Sequence, residues 1–264
     1  MLLKIKDLDV SFRNDEGAVT RAAVDVDLTL DRGEVLGLVG ESGSGKSSVA
    51  MSIPRLLPSP PAFWPKGRIL LDGTDVLTMP LDDLRKIRGR RIGVVFQDPM
   101  GSLSPLHRIG DQLVETVRLH EDVSRAAARA LALDWLGKVG IPDPSVRAQA
   151  FPHELSGGMQ QRVMIAMALM LGPDLLIADE PTTALDVTIQ AQVLTLMREL
   201  NRAQSAVLLI THDLGVVSQL ATRLAVMKDG RIVETSDRPE EFFANPKHPY
   251  SRALLGEAKK MELE

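Results

Sequence analysis

The segment Gly40-Glu41-Ser42-Gly43-Ser44-Gly45-Lys46-Ser47 follows directly after the apolar run 35–39, and residues up to Leu57 are compatible with a helix. It fits the pattern G-x-x-x-x-G-K-[S/T]. Glycines let backbone N–H groups turn around phosphates, Lys46 would bridge the β- and γ-phosphates, and the Ser47 hydroxyl would hold Mg²⁺. The alternative is an ordinary glycine- and serine-rich turn. Because strand, loop, lysine and helix agree, the sequence predicts a phosphate-binding loop.

Composition excludes several classes of protein. The 264 residues carry 31 Lys plus Arg against 35 Asp plus Glu, so the net charge of −4 offers no field for general nucleic-acid binding. The absence of cysteine excludes disulfides, iron–sulfur clusters and thiol catalysis. The longest aliphatic run, residues 163–171, is far shorter than the roughly 20 residues of a membrane-spanning helix, and the N-terminus lacks a signal-peptide pattern. We therefore expect a cytoplasmic location.

Hydrophobic patterning predicts an α/β domain with a mixed sheet core. Residues 3–12 and 23–30 have strand character and predict a small antiparallel β-subdomain, followed by a proline-rich surface loop at 58–66 and a strand and turn at 67–73. A helical pattern from 109 to 139 predicts an inserted helical subdomain. The later strands and helices alternate, which indicates parallel strands: strands at 175–178, 206–210 and 224–227, with helices near 189–201 and 215–221.

Two acidic residues follow the predicted strand 175–178. Asp179 and Glu180 would lie at the carboxyl edge of a parallel sheet, where ligands bind. Asp179 is suited to hold Mg²⁺ through water, and Glu180 to polarise an attacking water as general base. A pair of acids at a strand end is often only solvated, but the phosphate loop in the same chain favours the catalytic interpretation.

A second glycine-rich segment, Leu155-Ser156-Gly157-Gly158-Met159-Gln160, precedes a helical run. Ser156 is predicted to cap this helix, and the two glycines leave backbone N–H groups exposed to an anion. If this helix end and the phosphate loop lie on different subdomains, one nucleotide cannot use both. The segment is therefore expected to serve an ATP that is held by another copy.

With this segment, the chain resembles the nucleotide-binding subunits of ABC transporters, whose signature begins Leu-Ser-Gly-Gly, over nearly its entire length. The resemblance implies a P-loop NTPase fold of ABC type, an ATPase activity and Mg·ATP as ligand. Residues 40–48, including Ser48, resemble the Walker A loop, and Asp179 with Glu180 the Walker B pair. Ser156, Gly157 and Gly158 are implied to act in trans.

The resemblance implies roles for four further residues. Gln97 resembles the Q-loop glutamine, a metal and water contact, and His212 the switch histidine that contacts the γ-phosphate. The segment Ala184-Leu185-Asp186 resembles the D-loop, and Phe12 the aromatic platform for adenine, where the family usually carries Tyr. Taken singly, a histidine, a glutamine or a phenylalanine is more often a surface, turn or core residue. Their order along the chain favours the functional roles.

Three stretches, 96–103, 179–192 and 248–255, resemble the peptide and nickel importer branch. This implies a peripheral position on the cytoplasmic side of the cell membrane, two permease subunits, a solute-binding protein and a second ATPase subunit, identical or paralogous. Many peptide-branch members continue into a cysteine-bearing extension after the His248-Pro249-Tyr250 segment. This sequence stops at Glu264 without cysteine, so nickel or metal-chelate members are favoured while peptide members stay open.

We expect a single ABC ATPase domain over 1–264, with a catalytic core at 1–98 and 161–237, a helical subdomain at 99–160 and a tail at 238–264. The segment 98–119 is the predicted permease contact, through apolar side chains that would otherwise form the subdomain's own core: Leu103, Leu106, Ile109 and Leu113. Rival interpretations are a soluble ABC-type ATPase of DNA repair or translation, and an assembly component such as the phosphonate-metabolism relatives. The first rival normally carries a coiled-coil insertion or tandem ATPase domains, and neither is visible here.

Overall fold

A computed structural model describes residues 1–182, 185–202 and 204–261. The strands are β1 (Leu3–Arg13), β2 (Val19–Leu30), β3 (Val35–Val39), β4 (Ala62–Leu71), β5 (Thr74–Asp75), β6 (Ile92–Val95), β7 (Leu175–Asp179), β8 (Ala206–Ile210), β9 (Arg223–Lys228) and β10 (Arg231–Ser236). The helices are α1 (Lys46–Ser52), α2 (Leu81–Ile87), α3 (Pro99–Ser102), α4 (Ile109–His120), α5 (Arg125–Lys138), α6 (Pro144–Arg147), α7 (Gly157–Leu169), α8 (Val187–Arg202), α9 (Leu214–Leu220), α10 (Pro239–Ala244) and α11 (Pro249–Met261).

The chain divides into two compact units, which differ from the predicted partition. The first unit combines Met1–Arg85 with Ala206–Glu264, and the second is Lys86–Ser205. The predicted helical subdomain, 99–160, lies within the second unit together with β6, β7 and α8. The predicted tail belongs to the first unit and is helical in α10 and α11.

The first unit contains the predicted antiparallel β-structure. Its strands are ordered β2-β1-β4-β5, and β1 pairs antiparallel with both β2 and β4. The predicted loop at 58–66 is wrong in its second half, because β4 already begins at Ala62. Pro65 has no N–H to donate, and the strand tolerates it because the register of β4 against β1 shifts between Phe63 and Lys66.

A second group of strands in the same unit positions the phosphate loop. β3 pairs in parallel with β8 on one side and β9 on the other, and β10 is antiparallel to β9. Every residue of β3 and β8 is buried, as expected for strands covered on both faces. The ends of β3 and β9 pack with α9, α10 and α11 in one apolar cluster: Val39, Leu214, Val217, Leu224, Val226, Phe242, Tyr250 and Leu255.

The second unit pairs β6 with β7 in parallel, with Val95 opposite Ala178. Its helical pattern between 109 and 139 is confirmed as α4 and α5, which pack on each other and on α7. Ser124 begins α5 as N-cap, with its hydroxyl accepting from the backbone N–H of Ala127 at 3.2 Å. Among the described residues, no helix combines the length and the apolar character that a bilayer crossing needs.

The predicted apolar contact surface is largely wrong. Leu103 is only 3% exposed, and Ile109 and Leu113 are fully buried, so these three side chains form the second unit's own core. Only Leu106 of the four is exposed, at 82%. Helix α4 is amphipathic, and its apolar face points inward because α5 and α7 cover it.

Candidate active site

The phosphate loop of the first unit is shaped by glycines that have no room for a side chain. At Gly45 φ is +102°, and a Cβ would lie 2.2 Å from the carbonyl oxygen of Ala22. At Gly40 a Cβ would lie 2.1 Å from the carbonyl oxygen of Met227. Contacts this short exclude any other residue without movement of the backbone. The predicted glycine pattern is thus a steric requirement of the loop.

Lys46, the first residue of α1, is buried within this loop. Its Nζ donates to the carbonyl oxygens of Gly40 at 2.8 Å and Glu41 at 2.7 Å, and to the Ser44 hydroxyl at 3.3 Å. The loop therefore holds the ammonium group that would bridge phosphates. Other predicted loop residues face outward, where a ligand can reach them: Glu41, Ser42, Gly43 and Ser47 are exposed, and Ser48 is half-buried.

His212 lies at the same sheet edge as the phosphate loop. β3 and β8 are parallel neighbours, with Leu38 opposite Ile210, so the residues after both strands emerge at one edge. The His212 side chain is exposed there. Asp213, which follows it, caps α9 through its carboxylate, which accepts from the Val216 N–H at 3.1 Å.

Phe12, the predicted adenine platform, is in the antiparallel sheet of the same unit. It is half-buried on β1, between Thr20 of β2 and Ala62 of β4. A half-buried ring keeps one part of its surface open for stacking. The role of Phe12 stays a prediction.

In the second unit, the parallel pairing of β6 with β7 brings Gln97 and the two acids to one strand edge. Asp179 is the last residue of β7 and is buried, whereas Gln97 is exposed. Glu180 has a φ of +50° and is also buried. A left-handed conformation at a residue other than glycine costs about 1–3 kcal/mol, and such strain occurs preferentially at functional sites.

The signature segment has the predicted capped geometry. Ser156 is the N-cap of α7, and its hydroxyl accepts from the Met159 N–H at 3.4 Å. Ser156 and Gly157 are exposed, and a Cβ built at Gly157 would meet nothing within 4 Å. The backbone of this turn is therefore open to an approaching ligand.

Two residues that the sequence analysis missed tie the signature helix to its surroundings. The buried Gln161 donates from Nε2 to the carbonyl oxygens of Glu180 at 3.3 Å and Pro181 at 2.6 Å. Arg162 donates from Nη1 to the Gly140 carbonyl oxygen, and burial lowers its pKa although the Asp186 carboxylate acts in the opposite direction. The available signal was their polarity within an otherwise apolar helical run.

Asp186 has a structural contact of its own. Its carboxylate accepts from the Ile189 N–H at 3.0 Å, which caps the first turn of α8. Ala184, the first residue of the predicted D-loop, lies outside the described residues. The observed contact orients the Asp186 side chain toward its own helix.

A family profile described as ABC transporter matches residues 23–183, more than half of the chain. The chain belongs to the ABC transporter family. It is 49% identical to the oligopeptide transport ATP-binding protein OppD of Bacillus subtilis, over 99% of this chain and 73% of that protein. It is 52% identical to the peptidoglycan transport ATP-binding protein YejF of Agrobacterium fabrum, over 99% of this chain but 48% of that protein.

The fold of this ABC ATPase matches a solved structure of the family. The dimeric, post-hydrolysis state of the ATP-binding cassette MJ0796, bound to ADP and Pi, has a TM-score of 0.81 and 30% identity, covering 89% of this chain and 98% of that chain. The predicted family, ABC-type P-loop fold and ATPase activity are thereby confirmed. The chain binds and hydrolyses ATP.

The side chains present suit a metal that comes with the nucleotide. Within the described part of the chain, no group of three or more His, Cys, Asp or Glu side chains could hold a metal by itself. Mg²⁺ is commonly held by one or two protein oxygens together with substrate phosphates and water. The hydroxyl of Ser47 and the carboxylate of Asp179 are hard oxygen donors of this kind.

Proposed function

We propose that this ABC ATPase energises the uptake of peptides, as a peripheral subunit on the cytoplasmic side of the membrane. The observation that carries the proposal is the identity of about one half, over nearly the whole chain, to transport ATP-binding proteins named for oligopeptides and dipeptides. The expectation of nickel or metal chelates has no support among these relatives. We prefer peptides because these relatives are named for peptides.

We propose Mg·ATP as the ligand, with roles divided among the predicted residues. Residues 40–48 enclose the phosphates, Lys46 neutralises the β- and γ-phosphates, and Phe12 stacks on adenine. Bound Mg²⁺ supplies charge neutralisation at the phosphates. Its protein ligands are Ser47, Gln97 and Asp179.

Glu180 takes a proton from the attacking water as general base, and His212 donates a hydrogen bond to the γ-phosphate. Burial of Glu180 limits the number of waters around its carboxylate. The left-handed backbone at Glu180 restricts the direction in which the side chain leaves the main chain, because φ at this position is not freely variable. Both features favour a single, oriented proton acceptor.

The site is composite in this proposal. Ser156, Gly157 and Gly158 bind the γ-phosphate of an ATP on a second ATPase subunit, identical or paralogous, and Asp186 lies in the same contact. The open space at Gly157 supports this role, since the first backbone N–H groups of a helix have no intrahelical partner and suit an anion. The dimer reported for MJ0796 agrees with such a pairing.

Two permease subunits and a solute-binding protein complete the proposed complex. The permease contact is Leu106 together with a groove of about 470 Å³ along α4 and its flanks, lined by His107, Asp111, Val114, Glu115, Arg118 and Leu119. Its mixture of charged rim and exposed Leu119 suits an amphipathic permease helix. Leu106→Cys should crosslink to a permease loop, whereas Leu103→Cys, at a buried position, should not. Crosslinking from neither exposed position 106 nor 119 in an assembled complex would contradict this contact.

The transport proposal is tested in proteoliposomes that contain the chain, its permeases and its partner ATPase. ATP should drive accumulation of short peptides, and the Glu180→Gln chain should abolish it. Accumulation of a nickel chelate in place of peptides would show that the solute class is wrong. ATP hydrolysis by a chain that associates with no permease would instead favour the soluble ATPase or assembly interpretation.

A further inference from the structure

The His-Pro-Tyr segment near the C-terminus has no role in the site as described, yet its tyrosine contacts the phosphate loop. The backbone N–H of Glu41 donates to the Tyr250 hydroxyl at 2.9 Å. Tyr250 is 7% exposed and lies in the first turn of α11. Residues 209 positions apart in sequence are thus joined at the second residue of the phosphate loop.

The tyrosine is held from several sides. Tyr250 belongs to the apolar cluster that also contains Val39, the last residue of β3, and Phe242 of α10. The ammonium group of Lys228 lies 4.8 Å from the ring centroid, within the range of a cation–π contact. Burial raises the pKa of Tyr250 and, together with the carboxylates of Glu41 and Asp229, outweighs the lowering by the hydrogen bond from the Glu41 N–H. The hydroxyl therefore stays protonated, and it can accept from one group while donating to another.

The turn that delivers the tyrosine is anchored to β10. The Glu234 carboxylate accepts from the backbone N–H groups of Lys247 at 2.8 Å and His248 at 2.9 Å. The Tyr250 N–H in turn donates to Nδ1 of His248 at 3.2 Å. Tyr250 is therefore fixed by the strand it follows, independently of the loop that it contacts.

The hydrogen bond between Tyr250 and Glu41 also affects Lys46, because both side chains bind backbone atoms of Glu41. The carbonyl oxygens that accept from Lys46 Nζ belong to Gly40 and Glu41, and the Glu41 N–H is the group that Tyr250 accepts from. Gly40 is confined on its other side by the Met227 carbonyl oxygen. A shift of Glu41 would move one of the acceptors that orient the ammonium group.

We propose that Tyr250 is a positioning residue for nucleotide binding, through which the C-terminal segment 246–258 holds the phosphate loop in its binding conformation. The proposal rests on the assignment of residues 40–48 as the phosphate loop. It gives the His248-Pro249-Tyr250 segment a physical task within the ATPase itself. Its effect passes through Glu41 to Lys46.

The test is Tyr250→Phe in the full chain, which keeps the ring and removes the hydroxyl. We expect the Kd for ATP and for ADP, measured by titration calorimetry, to rise about two- to tenfold, the effect of one net hydrogen bond. Hydrogen exchange at the Glu41 amide should accelerate while β3 stays protected. In the assembled transporter, KM for ATP should rise by a similar factor with kcat within about twofold.

The matched control is Phe243→Leu, which removes an aromatic ring that is packed against the same apolar cluster but is not one of its buried members. It should lower the melting temperature and leave the Kd for ATP unchanged. An unchanged Kd and an unchanged Glu41 exchange rate in Tyr250→Phe would overturn the proposal, as would an equal loss of affinity in Phe243→Leu. Lys46→Ala tests the loop assignment separately: if it binds ATP like the wild type, that assignment fails whatever Tyr250→Phe shows.

Discussion

Gly45 and Gly157 belong to two glycine-rich segments, and a side chain at these positions would meet different surroundings. At Gly45 a Cβ would collide with the Ala22 carbonyl oxygen, and φ is in the left-handed region. At Gly157 a Cβ would meet nothing within 4 Å, and the residue is the first of an ordinary helix. The phosphate loop needs glycine to fold, whereas the signature turn folds without it. The proposed approach of a second subunit's ATP from outside would account for glycine at 157.

The two units also differ in the step of the ATPase reaction to which their residues are proposed to contribute, nucleotide binding or hydrolysis. The first unit holds Lys46 with acceptors of its own loop, so its phosphate site is formed largely by backbone. The second unit supplies side chains at a strand end, Asp179 and Glu180, and a capped turn at Ser156. Substitutions in the two units should accordingly affect different steps.

The largest difference between the effect on ATP turnover and the effect on ATP affinity is expected from Glu180→Gln. Removal of the general base should slow ATP turnover at least about a hundredfold. The Kd for ATP should stay within about twofold, because the phosphate loop is unchanged. Single-turnover hydrolysis and equilibrium binding measure the two quantities. Wild-type turnover in this variant would remove Glu180 from the proposed mechanism.

The next prediction compares glycines within one unit. Gly45→Ala should lower the free energy of unfolding by about 1–3 kcal/mol and abolish tight ATP binding, because the loop must move to admit the methyl group. Gly73→Ala is the matched control: φ is +80° there as well, but a Cβ would meet nothing within 4 Å. It should cost only the left-handed penalty of about 1–2 kcal/mol and leave ATP binding intact. Urea unfolding and calorimetry distinguish the two, and equal effects would show that steric closure at Gly45 is unimportant.

A feature of the fold or of the candidate site could be predicted when the residues that form it are close together in the sequence. The phosphate loop is specified by eight consecutive residues, and the Ser156 cap by a similarly short segment. Both could therefore be predicted from sequence. The contacts of Gln161 with Glu180 and of Tyr250 with Glu41 join residues 19 and 209 positions apart, and no local pattern encodes them. The sequence left open whether Leu103, Ile109 and Leu113 are buried, for a related reason. An apolar stripe shows that a face is covered but not whether α5 and α7 or a permease covers it.

At the signature turn, Ser156→Asp is expected to change the free energy of unfolding little and to lower ATP turnover more strongly. Ser156→Asp keeps an N-cap acceptor, so the free energy of unfolding should change by less than about 0.5 kcal/mol. The new carboxylate would repel the partner's γ-phosphate, so turnover in the assembled ATPase dimer should fall at least about tenfold. Ser156→Ala is the control, which loses the cap at a cost of about 1 kcal/mol and adds no charge. Full activity of Ser156→Asp in a nucleotide-dependent dimer would contradict the trans role of this turn.

The smallest effect is expected where the tail is anchored, at Glu234. Burial raises the pKa of this carboxyl, but the neighbouring Ser251 hydroxyl and the hydrogen bonds from the Lys247 and His248 N–H groups together outweigh it, and the net pKa lies below its ordinary value. A group whose pKa is lowered on folding stabilises the folded state above its unfolded pKa, and this contribution is lost as the pH falls through the lowered value.

Glu234→Gln should therefore lower the free energy of unfolding by about 1 kcal/mol at pH 7, since one amide oxygen replaces two acceptors. The difference from the wild type should shrink as the pH falls through the lowered pKa of Glu234, where the wild-type carboxyl also becomes neutral. Urea unfolding across this range measures both changes. ATP affinity should fall less than in Tyr250→Phe, because the Tyr250 hydroxyl still reaches Glu41. A difference that persists undiminished at the acidic end would mean that the charge of Glu234 does not hold the tail.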